Sequence, residues 1–420
     1  MPASRLKFES LPHAIFLQRV SGPQGATSLE ARLGQGAFLA LRLVDLLAPD
    51  RLQVSGDAFH YQWIATDRFC AELRAAATEG AHVHCIAEST ADAQRLGDIG
   101  LVAPALFAYA HFLEEELRLD EAVDVLTTLL KVVASRLSAK DAVAAGLRFA
   151  RVHRKLNRFD EAEAAYAEAG EMASAAGDRY SALLARIGLA NTILGRGNLA
   201  EAQRRLENVL ADARAVGERD AEARAEQGIA ATFYYMGQSV EAVPHAWRAF
   251  ELYEEEESRM RCLNDVGIML LSLGDAVGAE RALTEVVRRG GTQDNTDNAL
   301  IELMHCASYR RDHVGFARWR ERCEQHLADM PPNILADFYL KQGIGQARFG
   351  RFRRAAELMK QAREIGAAAE LHEFEFRIER ILGGLADCEQ ALAAEGQPAT
   401  EPMLQTQELR EVSESLAQLA

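Results

Sequence analysis

Apolar residues recur along this chain with the period of an α-helix. Successive apolar positions lie three or four residues apart, as at Leu183, Ile187, Ala190 and Leu194, and this spacing places them on one face of a helix. A β-strand would alternate apolar and polar positions instead. Turns such as Gly197-Asn198 separate the helical stretches, because glycine readily takes the left-handed conformation that ends a helix. The pattern predicts antiparallel helix pairs.

A repeat of 40 residues orders these helix pairs. A Glu-Ala pair recurs at this interval, at Glu121-Ala122, Glu161-Ala162, Glu201-Ala202 and Glu241-Ala242. A small residue precedes each pair at the same interval, at Ala110, Ala150, Ala190 and Ala230, and Gly267 and Gly343 continue the series. Downstream the period loosens, and the markers become Gly274 with Ala279, Asp312 with Ala317, and Gly350 with Ala355. We expect the small residue to let the second helix of each pair approach the first closely.

The predicted fold is therefore all-α, a right-handed α-solenoid of about eight to nine antiparallel helix pairs. We expect the array to cover residues 57–395. Its first pair, degenerate in sequence, spans Asp57 to Leu96, and its last pair spans Leu371 to Ala394.

The ends of the chain depart from this pattern. Residues 1–56 predict an irregular segment and a capping helix, which Ser28 begins and Pro49 follows. Residues 396–420 predict a linker and then a polar helix or tail.

Charge and composition exclude several classes of protein. Asp and Glu total 62 against 47 for Lys and Arg, a formal charge of -15, so duplex nucleic acid is not an expected partner. We expect no export signal, because the apolar stretch near residue 14 is short, and no membrane span, because the longer apolar stretches contain charges. We therefore expect a cytoplasmic protein. Six scattered cysteines without a CxxC pair predict free thiols in a reducing compartment.

The helix pairs, with a small residue in the first helix, a Gly-polar turn and then Ala, resemble the tetratricopeptide repeat. The 40-residue spacing is similar to the longer variant in bacterial MalT-like regulators and Rap-like peptide receptors. The resemblance covers about residues 57 to 395. It implies that the first helices line a concave groove that binds a protein or peptide.

Polar residues occupy the groove positions that this resemblance implies. They are Arg148, Arg151, Arg154, Asn191, Arg224, Gln227, Tyr234, Arg261 and Asn264, with Glu114 and Asp265 on the same face. Arginine forks suit carboxylates, and side-chain amides suit an extended peptide backbone. The sequence thus predicts a peptide or an acidic protein segment as partner. The competing interpretation is that the arginines at 148, 151 and 154 only pair with Asp160, Glu161 and Glu163 on neighbouring turns.

Metal and catalytic motifs are absent from the sequence. In His82-Val83-His84-Cys85, the two imidazoles would point about 200° apart on a helix and could not share an ion. No HExxH, GxSxG or GxxxxGK pattern occurs. We therefore predict no enzyme activity, no cofactor and no metal.

Three hypotheses for the function remain at this point. The leading one is a protein- or peptide-binding scaffold with a regulatory or sensory role. The alternative is a ligand-gated transcriptional or signalling receptor, MalT-like or Rap-like, whose effector lies in residues 1–56. The third is an enzyme whose catalytic groups come from separate helices and leave no motif.

Overall fold

The computed structural model describes residues 11–21, 25–48, 56–328, 330–369, 371–394 and 406–419. Within these ranges all regular elements are helices. Short 3₁₀ turns occupy Gln18–Ser21, Ile99–Val102 and Ala134–Arg136. The α-helices, numbered α1 to α20, are Ala14–Leu17, Leu29–Leu46, Gly56–Arg74, Thr78–Leu96, Ala103–Glu115, Leu119–Val132, Ala139–Lys155, Phe159–Ala175, Arg179–Gly195, Leu199–Val216, Arg219–Tyr235, Ser239–Leu252, Glu256–Ser272, Ala276–Arg289, Gln293–Tyr309, His313–Glu324, Pro332–Arg348, Phe352–Ala368, His372–Ala394 and Gln407–Leu419.

The chain divides into two compact units, Met1–Asn198 and Leu199–Ala420. In unit 1, α3 pairs with α4, α5 with α6 and α7 with α8, while α2 packs on α3 and α4, and α9 packs on α8. In unit 2, the pairs are α11 with α12, α13 with α14, α15 with α16 and α17 with α18, and α10 packs on α11. The predicted all-α fold of tetratricopeptide-like helix pairs is confirmed. The predicted division into end segments and a central array stays a prediction.

A left-handed residue ends the first helix at equivalent positions of successive repeats. Gly197 and Gly237 have φ angles of 81° and 76°, and Leu117 and Asn157 have φ angles of 56° at the matching positions. Glycine adopts this conformation at little cost, whereas leucine is strained there. The turn geometry is therefore kept even where the sequence does not supply a glycine.

The predicted small residues lie where the two helices of a pair cross. Ala110, Ala150, Ala190 and Ala230 are at most 1% exposed. At the equivalent Gly267, a Cβ atom would lie 2.7 Å from the Leu283 Cγ atom. This distance is shorter than a van der Waals contact. The two helices can therefore cross this closely only because the residue at this position has a small side chain or none.

One predicted repeat marker is wrong by a single residue. Arg311, not Asp312, has the left-handed conformation, with φ 60°, and Phe316 is buried while Ala317 is exposed. The phenyl ring fits because it packs against Gly345, where a Cβ atom would lie 2.3 Å from Phe316 Cε2. The volume of the large Phe316 side chain on α16 is thus compensated by the missing side chain of Gly345 on α17. The expectation of a buried alanine at the start of the second helix is wrong for this repeat.

The prediction of a last helix pair between Leu371 and Ala394 is also wrong. These residues form one helix of 23 residues, α19, which packs on α18. The Gly383-Gly384 step does not break it, and a Cβ atom at either glycine would meet nothing within 4 Å. The glycines therefore lower helix propensity without forming a turn.

The helix predicted after Ser28 is present, and of the two alternatives left open for the C-terminal segment the structure has the helix. Ser28 caps α2, since its hydroxyl accepts a hydrogen bond from the Ala31 amide. Helix α20 packs on α12 and α14 and buries Leu409, Val412 and Leu416. Residues 1–10, Pro49 and the predicted linker at 396–402 lie outside the described residues.

A buried ion-pair network attaches the N-terminal 3₁₀ turn to α4 and α6 within unit 1. The Arg19 guanidinium donates to Glu121 at 2.8 Å and to Glu79 at 3.0 Å. Arg118 donates to Glu79 at 2.7 Å, and the Tyr109 hydroxyl donates to the same carboxylate at 2.8 Å. Because buried carboxylates are costly without partners, these contacts hold the segment in place.

A second N-terminal contact depends on pH. His13, 5% exposed, has its Nδ1 atom 2.5 Å from Asp124 and its Nε2 atom 3.3 Å from Asp45. Burial lowers the pKa of His13, but the hydrogen bonds and charges of the two carboxylates outweigh it and raise the pKa to about 9. The imidazolium therefore persists at neutral pH in the folded protein.

We expect His13→Gln to destabilise the protein by on the order of 2 kcal/mol below pH 6.5, and by progressively less as the pH rises through 9. The sign follows from a folded-state pKa above the unfolded value, which makes the contribution of His13 largest at low pH. Denaturant unfolding of the wild type and the variant from pH 6 to 10 measures it, with exposed His60→Gln as the control. A difference that does not vary with pH would contradict the assignment.

The packing at Gly267 makes a second prediction. Gly267→Ala should lower the free energy of unfolding by about 1 kcal/mol, because overpacking against Leu283 exceeds the gain in helix propensity. Gly384→Ala, the same change at an uncrowded helix position of unit 2, should raise it by about 0.5 kcal/mol. Urea denaturation compares the two, and equal signs would show that the crossing at Gly267 is not tight.

Candidate binding surface

Three cations converge on one buried carboxylate on the first helices of unit 1. Glu114 of α5 has only 1% of its side chain exposed. From α7, Arg148 donates to it at 3.0 Å, Arg151 at 2.7 Å and Lys155 at 2.9 Å. The spacing of these cations, i, i+3 and i+7, places them on the same face of α7.

The Glu114 carboxylate stays charged at all pH values well above 2. Burial raises the pKa of Glu114, but the hydrogen bond and charge of Arg151, together with Lys155, lower it to about 2. The side chains of Arg151 and Lys155 remain 45% and 35% exposed. Glu115, the next residue of α5, also acts on Arg148, so three positive charges lie beside two carboxylates and this surface has excess positive charge.

The pairing that the sequence suggested for these arginines is wrong in its partners. Asp160 and Glu163 on α8 pair with Arg196 instead. Arg148 and Arg151 face the preceding first helix rather than their own second helix. The carboxylate that they contact, Glu114, is 34 and 37 residues away in sequence, so pairing by neighbouring turns could not find it.

The other predicted residues of unit 1 have different surroundings. Arg154 makes a side-chain hydrogen bond with Tyr166 of α8, so it faces its own hairpin and not Glu114. Asn191 of α9 is half-buried. The predicted residues in unit 1 therefore divide into a cationic group, defined here as Arg148, Arg151 and Lys155, and two separate polar positions.

In unit 2, the predicted amide and acidic residues form a hydrogen-bonded group. Gln227 of α11 donates to Asp265 of α13 at 2.9 Å and accepts from the Tyr253 hydroxyl at 2.8 Å. Burial raises the pKa of Asp265 to about 6, against the lowering effects of Gln227 and Arg261. Asn264 is 9% exposed, and its Oδ1 atom has no hydrogen-bond partner among the described residues.

The remaining predicted residues of unit 2 lie beside this group. Arg224 donates to Asp220 at 2.6 Å, one turn away, and lies over the Tyr253 ring at 6.0 Å. Arg261 donates to the Ser258 hydroxyl at 3.0 Å. Tyr234, at the end of α11, is half-buried. Arg224 and Arg261 thus make local contacts, whereas Gln227 connects two first helices.

Sequence reasoning missed a second set of polar residues in unit 2. Lys341 of α17 contacts Glu302 of α15 and lies 2.5 Å from Asp337. Burial raises the pKa of Tyr234, and the charge of Glu302 raises it further, whereas the charges of Arg377 and Lys341 lower it. The sequence contained a pattern that could have found these residues. Polar residues recur at steps of 37 to 39 residues, at Gln227, Asp265, Glu302 and Lys341.

The histidines, the helix lengths and the cavity bear on whether the protein binds a metal, crosses a membrane or holds a small ligand. His82 lies against the Phe112 ring at 5.0 Å, whereas His84 faces Asp67 at 3.2 Å, so the two imidazoles have different neighbours. Among the described residues, no three His, Cys, Asp or Glu side chains are arranged to hold a metal ion. No described helix is both long and apolar enough to cross a bilayer. A cavity of about 410 Å³ lies between α2 and α3, and none of the predicted groove residues line it.

The chain is similar to several solved structures. No protein-family model matches the chain, and no curated protein does. Among solved structures, the chain is similar to aspartyl phosphate phosphatase F from Bacillus subtilis, with 11% identity, 82% of this chain and 95% of that chain covered, and a TM-score of 0.48.

Two further solved structures are similar to the chain. One is a Rap protein complexed with Competence and Sporulation Factor, with 12% identity, 86% and 99% coverage, and a TM-score of 0.43. The other is a tetratricopeptide repeat protein from Parabacteroides merdae, with 14% identity, 68% and 98% coverage, and a TM-score of 0.41. At these identities and TM-scores, no conclusion about the function of this chain follows from the likeness.

Proposed function

We propose that this chain is a protein- or peptide-binding scaffold that acts by binding rather than by catalysis, in the cytoplasm, as part of a regulatory or sensory process. Its partner segment is extended and acidic. In unit 1 the segment contacts the cationic group on α7 together with Asn191 of α9. In unit 2, the Gln227–Asp265 group and Asn264 offer hydrogen bonds to a peptide backbone.

One observation carries this proposal, the excess of cations around Glu114. Carboxylates outnumber cations by 62 to 47 in the whole chain, yet here a single carboxylate holds three cations. A lone structural ion pair would need only one of them. The two more exposed cations keep unused donors, and guanidinium and ammonium groups fixed in this way are preorganised for carboxylates.

The surrounding charge favours the same partner chemistry. A formal charge of -15 repels acidic segments from most of the surface, so a local positive group makes binding both steered and site-specific. An acidic segment could replace water on Arg151 and Lys155 while Arg148 continues to neutralise Glu114. The receptor alternative, with an effector in residues 1–56, stays a prediction.

The test uses an extended Glu-rich peptide as the probe and a Lys-rich peptide of equal length as its counterpart. We expect the Glu-rich peptide to bind, and Arg151→Gln with Lys155→Gln to weaken its binding about tenfold, since each half-exposed charge pair contributes up to about 1 kcal/mol. Fluorescence anisotropy at low and physiological salt measures the affinity. Arg148 is left intact because its removal would leave Glu114 buried with no close partner in the double variant.

The matched control is Arg158→Gln, which removes one positive charge from the same hairpin. Arg158 pairs with Asp120, and both side chains are exposed, at 42% and 50%, so its loss should change the affinity less than twofold. Circular dichroism checks that all variants keep their helix content. Equal weakening by the control, or equal binding of the two peptides, would show only nonspecific attraction and would refute the proposed surface.

A further inference from the structure

The face of α12 that corresponds to the solvent-exposed face of α10 is apolar. The 40-residue repeat aligns Pro244 and Trp247 of α12 with Arg204 and Glu207 of α10. The two residues of α10 are exposed, whereas Pro244 is buried and Trp247 is only 8% exposed. Because a surface helix carries polar residues on the face that it turns to solvent, the apolar pair indicates that another element covers this face of α12.

Helix α8 shows which element that is. Its residues at the same repeat positions, Ala164 and Ala167, are exposed. The first helices α7 and α9 pack on α8, as the first helices α11 and α13 pack on α12. Helix α20 packs on α12 in addition, and it also packs on α14. The burial of this face of α12 is therefore due to α20.

Helix α20 is amphipathic. Its buried residues, Leu409, Val412 and Leu416, belong to the same apolar cluster as Trp247. Their spacing, i, i+3 and i+7, places them on one face of the helix. The other face is polar and exposed, and it includes Glu408, Arg410, Glu411, Glu414 and Gln418. One apolar stripe of α20 thus makes the contact with the repeats.

The contact of α20 with α12 and α14 is apolar throughout the described residues. The side-chain hydrogen bonds of α20 are local, because Gln407 donates to Glu411 and the Leu409 amide donates to the Thr406 hydroxyl. An isolated helix of this length is marginally stable in water. The order of α20 therefore depends on the burial of its three apolar residues, and the surface beneath recognises their spacing.

A second copy of this chain carries the same helix. Helix α19 ends at Ala394 and α20 begins at Gln407, so residues 395–406 connect the two. A connection of this length spans up to about 40 Å when extended. Because α20 of another copy would make the same contacts with α12 and α14, an exchange of this helix between two chains loses none of them.

We propose that α12 and α14 form a docking surface for one amphipathic helix, and that its partner from outside the chain is α20 of a second copy. In a single chain, α20 competes for this surface at an effective concentration on the order of millimolar. Two chains therefore exchange the helix when they are concentrated or when their own α20 is released. The surface lies on second helices, away from the cationic group, and the proposed function does not depend on it.

Two complementary variants of the full chain test the exchange. Pro244→Arg with Trp247→Glu breaks the surface but gives α12 the residues of α10, so the helix should persist. Val412→Asp with Leu416→Asp breaks the apolar stripe of α20. We expect each variant alone to be monomeric, because each lacks one half of the contact.

An equimolar mixture of the two variants should form a one-to-one dimer, since it combines an intact surface with an intact α20 on separate chains. Analytical ultracentrifugation measures the association, for which we expect a dissociation constant on the order of 50 μM. Circular dichroism checks helix content, and Val243→Gln, which copies Gln203 of α10, replaces the surface variant if that variant unfolds. A mixture that stays monomeric at about 1 mM would overturn the exchange.

A fluorescein-labelled peptide of residues 404–420 tests recognition of the stripe. It should bind the Val412→Asp, Leu416→Asp chain at least about tenfold more tightly than the wild type, whose own α20 occupies the surface. The peptide with the same two substitutions should not bind, whereas a matched control with Glu411→Gln and Glu414→Gln, both exposed, should bind like the unchanged peptide.

Equal binding of the peptide to both proteins, or binding of the peptide that lacks the apolar stripe, would refute the docking surface. Peptide binding without a dimer in the mixture would overturn exchange between copies and would assign the surface to a helix of another protein.

Discussion

The fold depends on close helix crossings inside each hairpin. Small residues at one position of the first helix, such as Ala150 and Ala230, are fully buried, and Gly267 leaves no room for a methyl group. Because each pair is held at this distance, the next pair can stack on it with the same geometry. The repeated stacking brings the polar faces of successive first helices side by side. The candidate binding surface follows from that alignment.

Buried carboxylates then organise the cations on those faces. Glu114 collects Arg148, Arg151 and Lys155 from the next first helix, as Glu79 collects Arg19 and Arg118 at the N-terminal end. The two cases differ in accessibility, because Arg19 is only 8% exposed whereas Arg151 is 45% exposed. The same interaction thus attaches a segment in one place and presents donors to solvent in the other. Because the chain as a whole is acidic, exposed cations grouped on one carboxylate indicate a surface that favours an acidic partner.

Periodic features of the fold could be predicted from the sequence, and irregular ones could not. The 40-residue markers located the buried alanines and the turns. One marker was wrong by a residue, because the large Phe316 occupies the position of the buried alanine and packs against Gly345 of the next helix. The predicted groove residues were chosen by helix face, and this could not give their partners. Arg148, Arg151 and Gln227 have partners 34 to 38 residues away, whereas Arg224 and Arg261 contact residues one turn away. Lys155 was missed although it lies one turn after Arg151.

The central claim is that the α7 face of unit 1 binds an acidic segment, and lysine labelling tests it most directly. Reductive methylation of the full chain would be measured by mass spectrometry, with and without the Glu-rich peptide. The account predicts that the peptide slows the modification of Lys155, while Lys131, Lys140 and Lys360, which are exposed elsewhere, react at unchanged rates. Unchanged labelling of Lys155 at saturating peptide, or equal slowing of all four lysines, would contradict it.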